Sequence, residues 1–163
     1  MTKHCCTHPA AYPHGADRGF TLVELLVSVA IVSALMLIAY PAYHQYVDKA
    51  NIAQAKVDIN SIEQAIERFY TVEQRYPDTL NEIGMGAFKD PWGNVYKYTN
   101  IASGANNVGT YRKDKFLHPL NTDYDLYSMG KDGASSTPLT AGVSQDDIVR
   151  ANNGAFIDLA SKY

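Results

Sequence analysis

A chain of 163 residues makes one domain, or one small domain with an appendage. Its 46% hydrophobic and 19% charged residues are ordinary for a folded protein, and seven Pro with eleven Gly exclude a collagen-like or disordered chain. A formal charge of −3 gives no electrostatic footprint for nucleic acid, so no nucleic-acid partner is expected, and a mean hydropathy of −0.23 excludes a polytopic membrane protein.

Residues 1–19 carry Lys3 and Arg18 against Asp17, three histidines, and both cysteines, Cys5 and Cys6. The Cys-Cys-x-His run has no second half-site and is read as inert rather than zinc-binding. From residue 20 to 43 the chain reads FTLVELLVSVAIVSALMLIAYPAY, in which Glu24 is the only charge. Residues 25–43 are nineteen uncharged residues, a helix rise of about 28 Å, close to the hydrocarbon thickness of a bilayer. No polar stripe interrupts them, so they are read as membrane-inserting rather than as a core helix. A secretory signal peptide would have a shorter apolar run followed by a small-residue cleavage site, and neither is present.

Glu24 is the problem residue. A carboxylate at that depth costs about 2.5–3.5 kcal/mol on insertion scales and needs a partner. A cut between Gly19 and Phe20 supplies one. It creates an α-ammonium at Phe20, on the same helical face as Glu24, or within reach of Glu24 on a staggered neighbouring subunit. The bland alternative is a carboxylate snorkelling to the interface near the helix end, which needs no cut.

Beyond Tyr43 the pattern becomes amphipathic. Ile52, Ala55, Ile59, Ile62, Ile66 and Phe69 recur at spacings of three and four, and Asp48, Lys49, Lys56, Asp58, Glu63 and Glu67 take other faces. Residues 20 to about 73 therefore read as one helix, apolar in its first half and striped in its second, with Pro41 as a kink point. Arg75 to Asp78 end it, and residues 80–85 form a short helical turn. Asp90, Pro91, Trp92, Gly93 and Asn94 are turn punctuation leading into Val95, Tyr96 and Tyr98, a strand. Residues 111–117 and 124–129 are two further strand candidates. The fold class is α+β: a long N-terminal helix laid on a small antiparallel sheet.

Five aspartates, Asp123, Asp125, Asp132, Asp146 and Asp147, fall within 25 residues, with Lys131 the only cation among them. A Gly-rich loop of this kind can gather the oxygens a hard cation wants, although it is not an EF-hand. The competing reading is a plain turn at Asp132 and Gly133, with Asp146 and Asp147 capping a helix that starts at Ile148. After residue 19 the only histidines are His44 and His118. Neither sits in a nucleophile-elbow, zincin or P-loop context, so no enzyme is expected.

Arg18, Gly19, Phe20, Thr21, Leu22, Val23, Glu24 and Leu25 resemble the class III signal of the type IV pilin-like family. The D-P-W-G-N-x-Y block, followed by S-x-G-x-D-G at residues 128–133 and an acidic pair, is similar to the head of the major pseudopilin of type II secretion systems. Here Val95 stands where that pattern has proline. The resemblance implies a leader at 1–19 removed by a prepilin peptidase, cleavage between Gly19 and Phe20, methylation of Phe20, and Glu24 as the assembly glutamate. It implies a membrane and filament-core half-helix at 20–43, an amphipathic half at 44–74, and a β-rich head at 75–163 with a calcium-type loop. The calcium ligands it implies are the Met129 carbonyl and the carboxylates of Asp132, Asp146 and Asp147. The expected protein is a homopolymeric subunit of a periplasmic pseudopilus. It would be stored in the inner membrane as a single-pass precursor among lipid, with its head in the periplasm, and would work with minor pseudopilins and an inner-membrane assembly platform. Two alternatives stand beside it: a type IV pilus subunit serving adhesion, motility or DNA uptake, and a membrane-tethered calcium-dependent binding module that never polymerises.

Overall fold

The structure, a computed structural model, describes residues 19–163. The expected leader with Cys5 and Cys6 lies, except for Gly19, outside the described residues. The described chain falls into two compact units that divide between Ala42 and Tyr43.

The first unit holds the start of helix α1 (Leu22–Glu73). Every residue from 19 to 46 is exposed, including Leu25, Val29, Val32, Leu35 and Leu37. The helix is long and apolar enough to cross a membrane, and none of its apolar window is buried among the described residues. Alternating leucines, valines and alanines with no stripe leave no face that prefers water, so this surface calls for lipid or other helices. Ser28 and Ser33 hide their hydroxyls by donating to the carbonyls of Glu24 and Val29, four residues back, at 2.7 and 2.8 Å.

In the second unit, α1 presents its expected stripe to a four-stranded sheet. Ala55, Ile59, Ile62 and Ile66 are fully buried, with Ile52 packed partly against them. The strands are β1 (Lys97–Asn100), β2 (Tyr124–Ser128), β3 (Ile148–Ala151) and β4 (Phe156–Leu159), in spatial order β1-β2-β3-β4 and antiparallel throughout. The register sets Tyr98 opposite Leu126 and Ile148 opposite Leu159. Side chains alternate between faces. Tyr124, Leu126, Ile148, Ile157 and Leu159 face the helix cluster, whereas Tyr127, Val149 and Phe156 face a second cluster with Leu120, Leu139 and Ala160. Loop segments around Leu120 and Leu139 thus cover the face away from the helix, which is why all four residues of β3 are buried.

Two expectations need correction. Residues 111–117 do not form a strand. Lys113 makes one isolated parallel bridge to Pro138, and the Arg112 N–H is taken by the Asp125 carboxylate at 2.7 Å instead of a strand carbonyl. Nor does a helix start at Ile148, where β3 begins. The β3–β4 hairpin turns through Asn152 and Asn153 at φ of 53° and 54°, a left-handed conformation that asparagine tolerates.

One buried cation ties sheet to helix. The Arg150 guanidinium on β3 donates to Glu63 on α1 (2.8 Å), to both Asp123 oxygens (2.9 and 2.7 Å) and to the Tyr124 carbonyl (3.2 Å). It also lies 4.0 Å from the centre of the Tyr124 ring. Burial alone would depress its pKa, but the Asp123 and Glu63 carboxylates outweigh that and raise it.

Candidate functional site

The processing segment lies just outside α1. Gly19, Phe20 and Thr21 are non-helical, Phe20 is 84% exposed, and among the described residues nothing approaches within 4 Å of where a Gly19 side chain would stand. The Gly19–Phe20 peptide bond thus lies outside the hydrogen-bonded helix.

Thr21 and Glu24 form a reciprocal capping pair. Glu24 Oε2 accepts from the Thr21 N–H and from its hydroxyl, both at 2.9 Å, and Thr21 Oγ1 accepts from the Glu24 N–H at 3.2 Å. Thr-x-x-Glu at residues 21–24 is the sequence signature of this arrangement. The uncut chain thus already gives the Glu24 carboxylate donors, at the positive end of the helix dipole. These donors are neutral, so they orient the charge and leave it uncompensated. A terminal ammonium at Phe20 would stand one residue before the Thr21 N–H that already points at this carboxylate.

In the head, Asp90 organises the D-P-W-G-N turn. Its Oδ1 accepts from the N–H groups of Trp92 (3.1 Å) and Asn94 (2.8 Å), and its Oδ2 accepts from the Ser128 hydroxyl at the end of β2 (2.5 Å). Asn94 returns the contact by donating to the Gly130 carbonyl at 3.1 Å. Gly130 adopts φ 64°, and a Cβ there would meet the Asp146 carbonyl oxygen at 2.4 Å, so this crossing demands glycine. The two sequence blocks that carry the pseudopilin resemblance are therefore one hydrogen-bonded unit.

The three aspartates expected to hold calcium have separate partners. Asp132 Oδ1 accepts from the Ala134 N–H at 2.8 Å. Asp146 Oδ2 accepts from the N–H groups of Lys131 (2.8 Å) and Asp132 (3.0 Å). Asp147, fully buried, accepts at Oδ2 from Arg112 Nη2 and from the Ser135 hydroxyl, each at 2.6 Å. Burial pushes the Asp147 carboxyl up, opposed by the Ser135 hydrogen bond and the Arg112 charge. Met129 lies beside these residues at the end of β2, between Ser128 and Gly130. No group of three or more His, Cys, Asp or Glu side chains is arranged to hold a metal among the described residues. As placed, the three carboxylates do not converge on one point: one oxygen of each is turned to a backbone amide or to the Arg112 guanidinium, while the buried Asp147 Oδ1 has no hydrogen-bond partner among the described residues. Arg112 was not singled out by sequence reasoning, and its 35-residue separation from Asp147 leaves no local signal.

The histidines have structural surroundings. His118 Nε2 lies 3.0 Å from the Val108 carbonyl, a contact that uses the Nε2–H tautomer. The His44 ring meets that of Tyr43 edge-on at 6.1 Å.

Comparison with known proteins places these features. Residues 15–40 match the family described as the prokaryotic N-terminal methylation motif, and residues 41–113 match the family described as type IV minor pilin ComP, DNA uptake sequence receptor. The chain is 37% identical over 82 residues to the type IV major pilin protein PilA of Myxococcus xanthus, half of this chain (50%) but only 36% of that pilin. It is 28% identical over 158 residues to a fimbrial protein of Neisseria meningitidis serogroup B, covering 87% of this chain and 89% of that one. It is 29% identical over 138 residues to the type II secretion system core protein G of Pseudomonas aeruginosa, covering 72% and 85%. No solved structure matches it significantly.

Proposed function

We propose, for a chain that belongs to the type IV pilin-like family and is a structural filament subunit rather than an enzyme, that the filament it builds is the pseudopilus of a type II protein secretion system. The observation that carries this reading is the Asp90–Ser128 lock. It joins the D-P-W-G-N turn to the S-x-G-x-D-G strand end, the two blocks in which the head resembles the major pseudopilin. The similarity to core protein G, which extends over most of both chains, supports it.

In this reading the precursor waits in the inner membrane with its head in the periplasm, and the apolar half of α1 is solvated by lipid. A prepilin peptidase cuts after Gly19 and methylates Phe20. The exposed apolar surface then exchanges lipid for the same surface of neighbouring subunits, and Glu24 meets a terminal ammonium in a low-dielectric surrounding. Minor pseudopilins and an inner-membrane assembly platform are the expected partners. The growing filament does mechanical work on exported protein.

A type IV pilus subunit is the second reading, favoured by the match of residues 41–113 to the minor pilin family and by the fimbrial relative of similar length. Deleting the coding sequence from its bacterium separates the two. The pseudopilus reading expects exported enzymes to accumulate in the periplasm, while surface fibres, twitching and DNA uptake stay normal. Normal export with loss of fibres, motility or uptake would replace it by the pilus reading.

A further inference from the structure

We infer that Arg112 is a built-in cation that does for this head what a bound calcium ion would otherwise do, so that the head holds its acidic loop without calcium. Arg112 is turned inward, toward Asp147. Its guanidinium is 5% exposed, the carboxylate of Asp147 is fully buried, and the two lie 2.6 Å apart. Nη1 donates to the Ser135 hydroxyl and to the Ser136 carbonyl, both at 2.6 Å, and the Ser135 hydroxyl in turn donates a hydrogen bond to Asp147 Oδ2. The guanidinium plane stacks 4.3 Å from the centre of the Tyr127 ring on β2. The Arg112 backbone is held as well, through its N–H to Asp125 and its carbonyl to the Leu120 N–H at 2.9 Å.

One side chain therefore joins three segments: its own loop, the 131–147 loop through Ser135, Ser136 and Asp147, and β2 through Tyr127. Clamping a long loop to a sheet edge and neutralising a buried carboxylate is the structural task a divalent ion performs in an acidic loop. A second cation on the same carboxylate would meet the guanidinium's like charge at short range in a poorly screened interior. Two polar atoms of this clamp have no hydrogen-bond partner among the described residues, Arg112 Nε and Asp147 Oδ1. The neighbouring cation, Lys131, is likewise committed, with Nζ 3.0 Å from both oxygens of Asp48.

The test is the thermal unfolding of the purified full-length chain in detergent, with excess chelator or with millimolar calcium chloride. The expected result is the same melting midpoint in both, to within about 1 °C, because a ligand that does not bind the native state cannot shift it. Arg112→Met should lower the midpoint by several degrees, and adding Asp147→Asn should recover part of the loss by removing the stranded charge. A midpoint that climbs by several degrees with calcium in the unaltered chain overturns the inference, as does an Arg112→Met chain that melts like the original. If Arg112→Met fails to fold, the calcium comparison on the unaltered chain still decides. The outcome is independent of whether the filament is a pilus or a pseudopilus, since it reads the head of a single subunit.

Discussion

Replacing Glu24 by Gln is expected to abolish filament formation while leaving the precursor membrane-bound and cleaved. The substitution separates two roles of one side chain, the cap on Thr21 that the structure shows and the charge pairing that the proposed assembly requires. Glutamine keeps an amide oxygen that can accept from the Thr21 N–H and hydroxyl, so the helix start survives. It discards the negative charge, so a terminal ammonium packed between apolar helices loses its counter-ion. Breaking a buried ion pair by removing one partner costs about 3–5 kcal/mol, a loss of more than about a hundredfold in each subunit's association constant. The helix neighbours of Glu24 are Leu and Val side chains with Thr21 and Ser28, none of which carries a charge that could substitute. Glu24→Val should do the same, while inserting into lipid at least as readily. Electron microscopy of overexpressing cells, beside immunoblots of membrane fractions, reads both effects. Normal polymers from Glu24→Gln would mean that capping, and not charge, is what the filament needs from this residue.

The second large effect lies in the head. Arg150→Met is expected to destabilise it by about 3–5 kcal/mol, a fall of about 10–20 °C in the melting midpoint. The arginine is 2% exposed at its side chain and its partners Glu63 and Asp123 are 21% and 13% exposed, so water cannot fully take over their charges. Methionine fills the space and strands both carboxylates, one on α1 and one before β2. Arg150→Lys should fall between, because a single ammonium cannot make the paired contact with Asp123 and also reach Glu63. Gly154 belongs to the same unit. A Cβ there would come within 2.5 Å of Glu63 Oε1, and its φ of 92° is one that other residues avoid. Calorimetry of the three chains checks the order. An Arg150→Met midpoint unchanged from the original would show that the network contributes geometry without stability.

Local patterns in the chain announced what local physics decides. The isoleucine stripe from Ile52 to Ile66 placed the buried face of α1, and Tyr98, Tyr124 and Leu126 lie on strands where alternating aromatic and branched residues put them. Strand β3 was not legible, because Ile148, Val149, Arg150 and Ala151 are too few to show a period, and an acidic pair before them imitates a helix start. Their strand state comes from pairing with β2 and β4 and from an arginine that finds carboxylates 27 and 87 residues away. Residues 111–117 looked extended by composition, yet Arg112 is drawn into the loop by Asp125 and Asp147, contacts that no window of sequence contains. At the N-terminus the processing residues stood out in the sequence, while the Thr21 cap of Glu24 was equally visible there and went unread beside the more conspicuous charge.

Mass spectrometry of the N-terminal peptide, taken from subunits recovered within polymers, addresses the central claim most directly. The account predicts a chain that begins at Phe20 and carries one extra methyl group on its α-amine. Polymers whose subunits begin at Met1, or at any residue that leaves Glu24 far from a free amine, would contradict it.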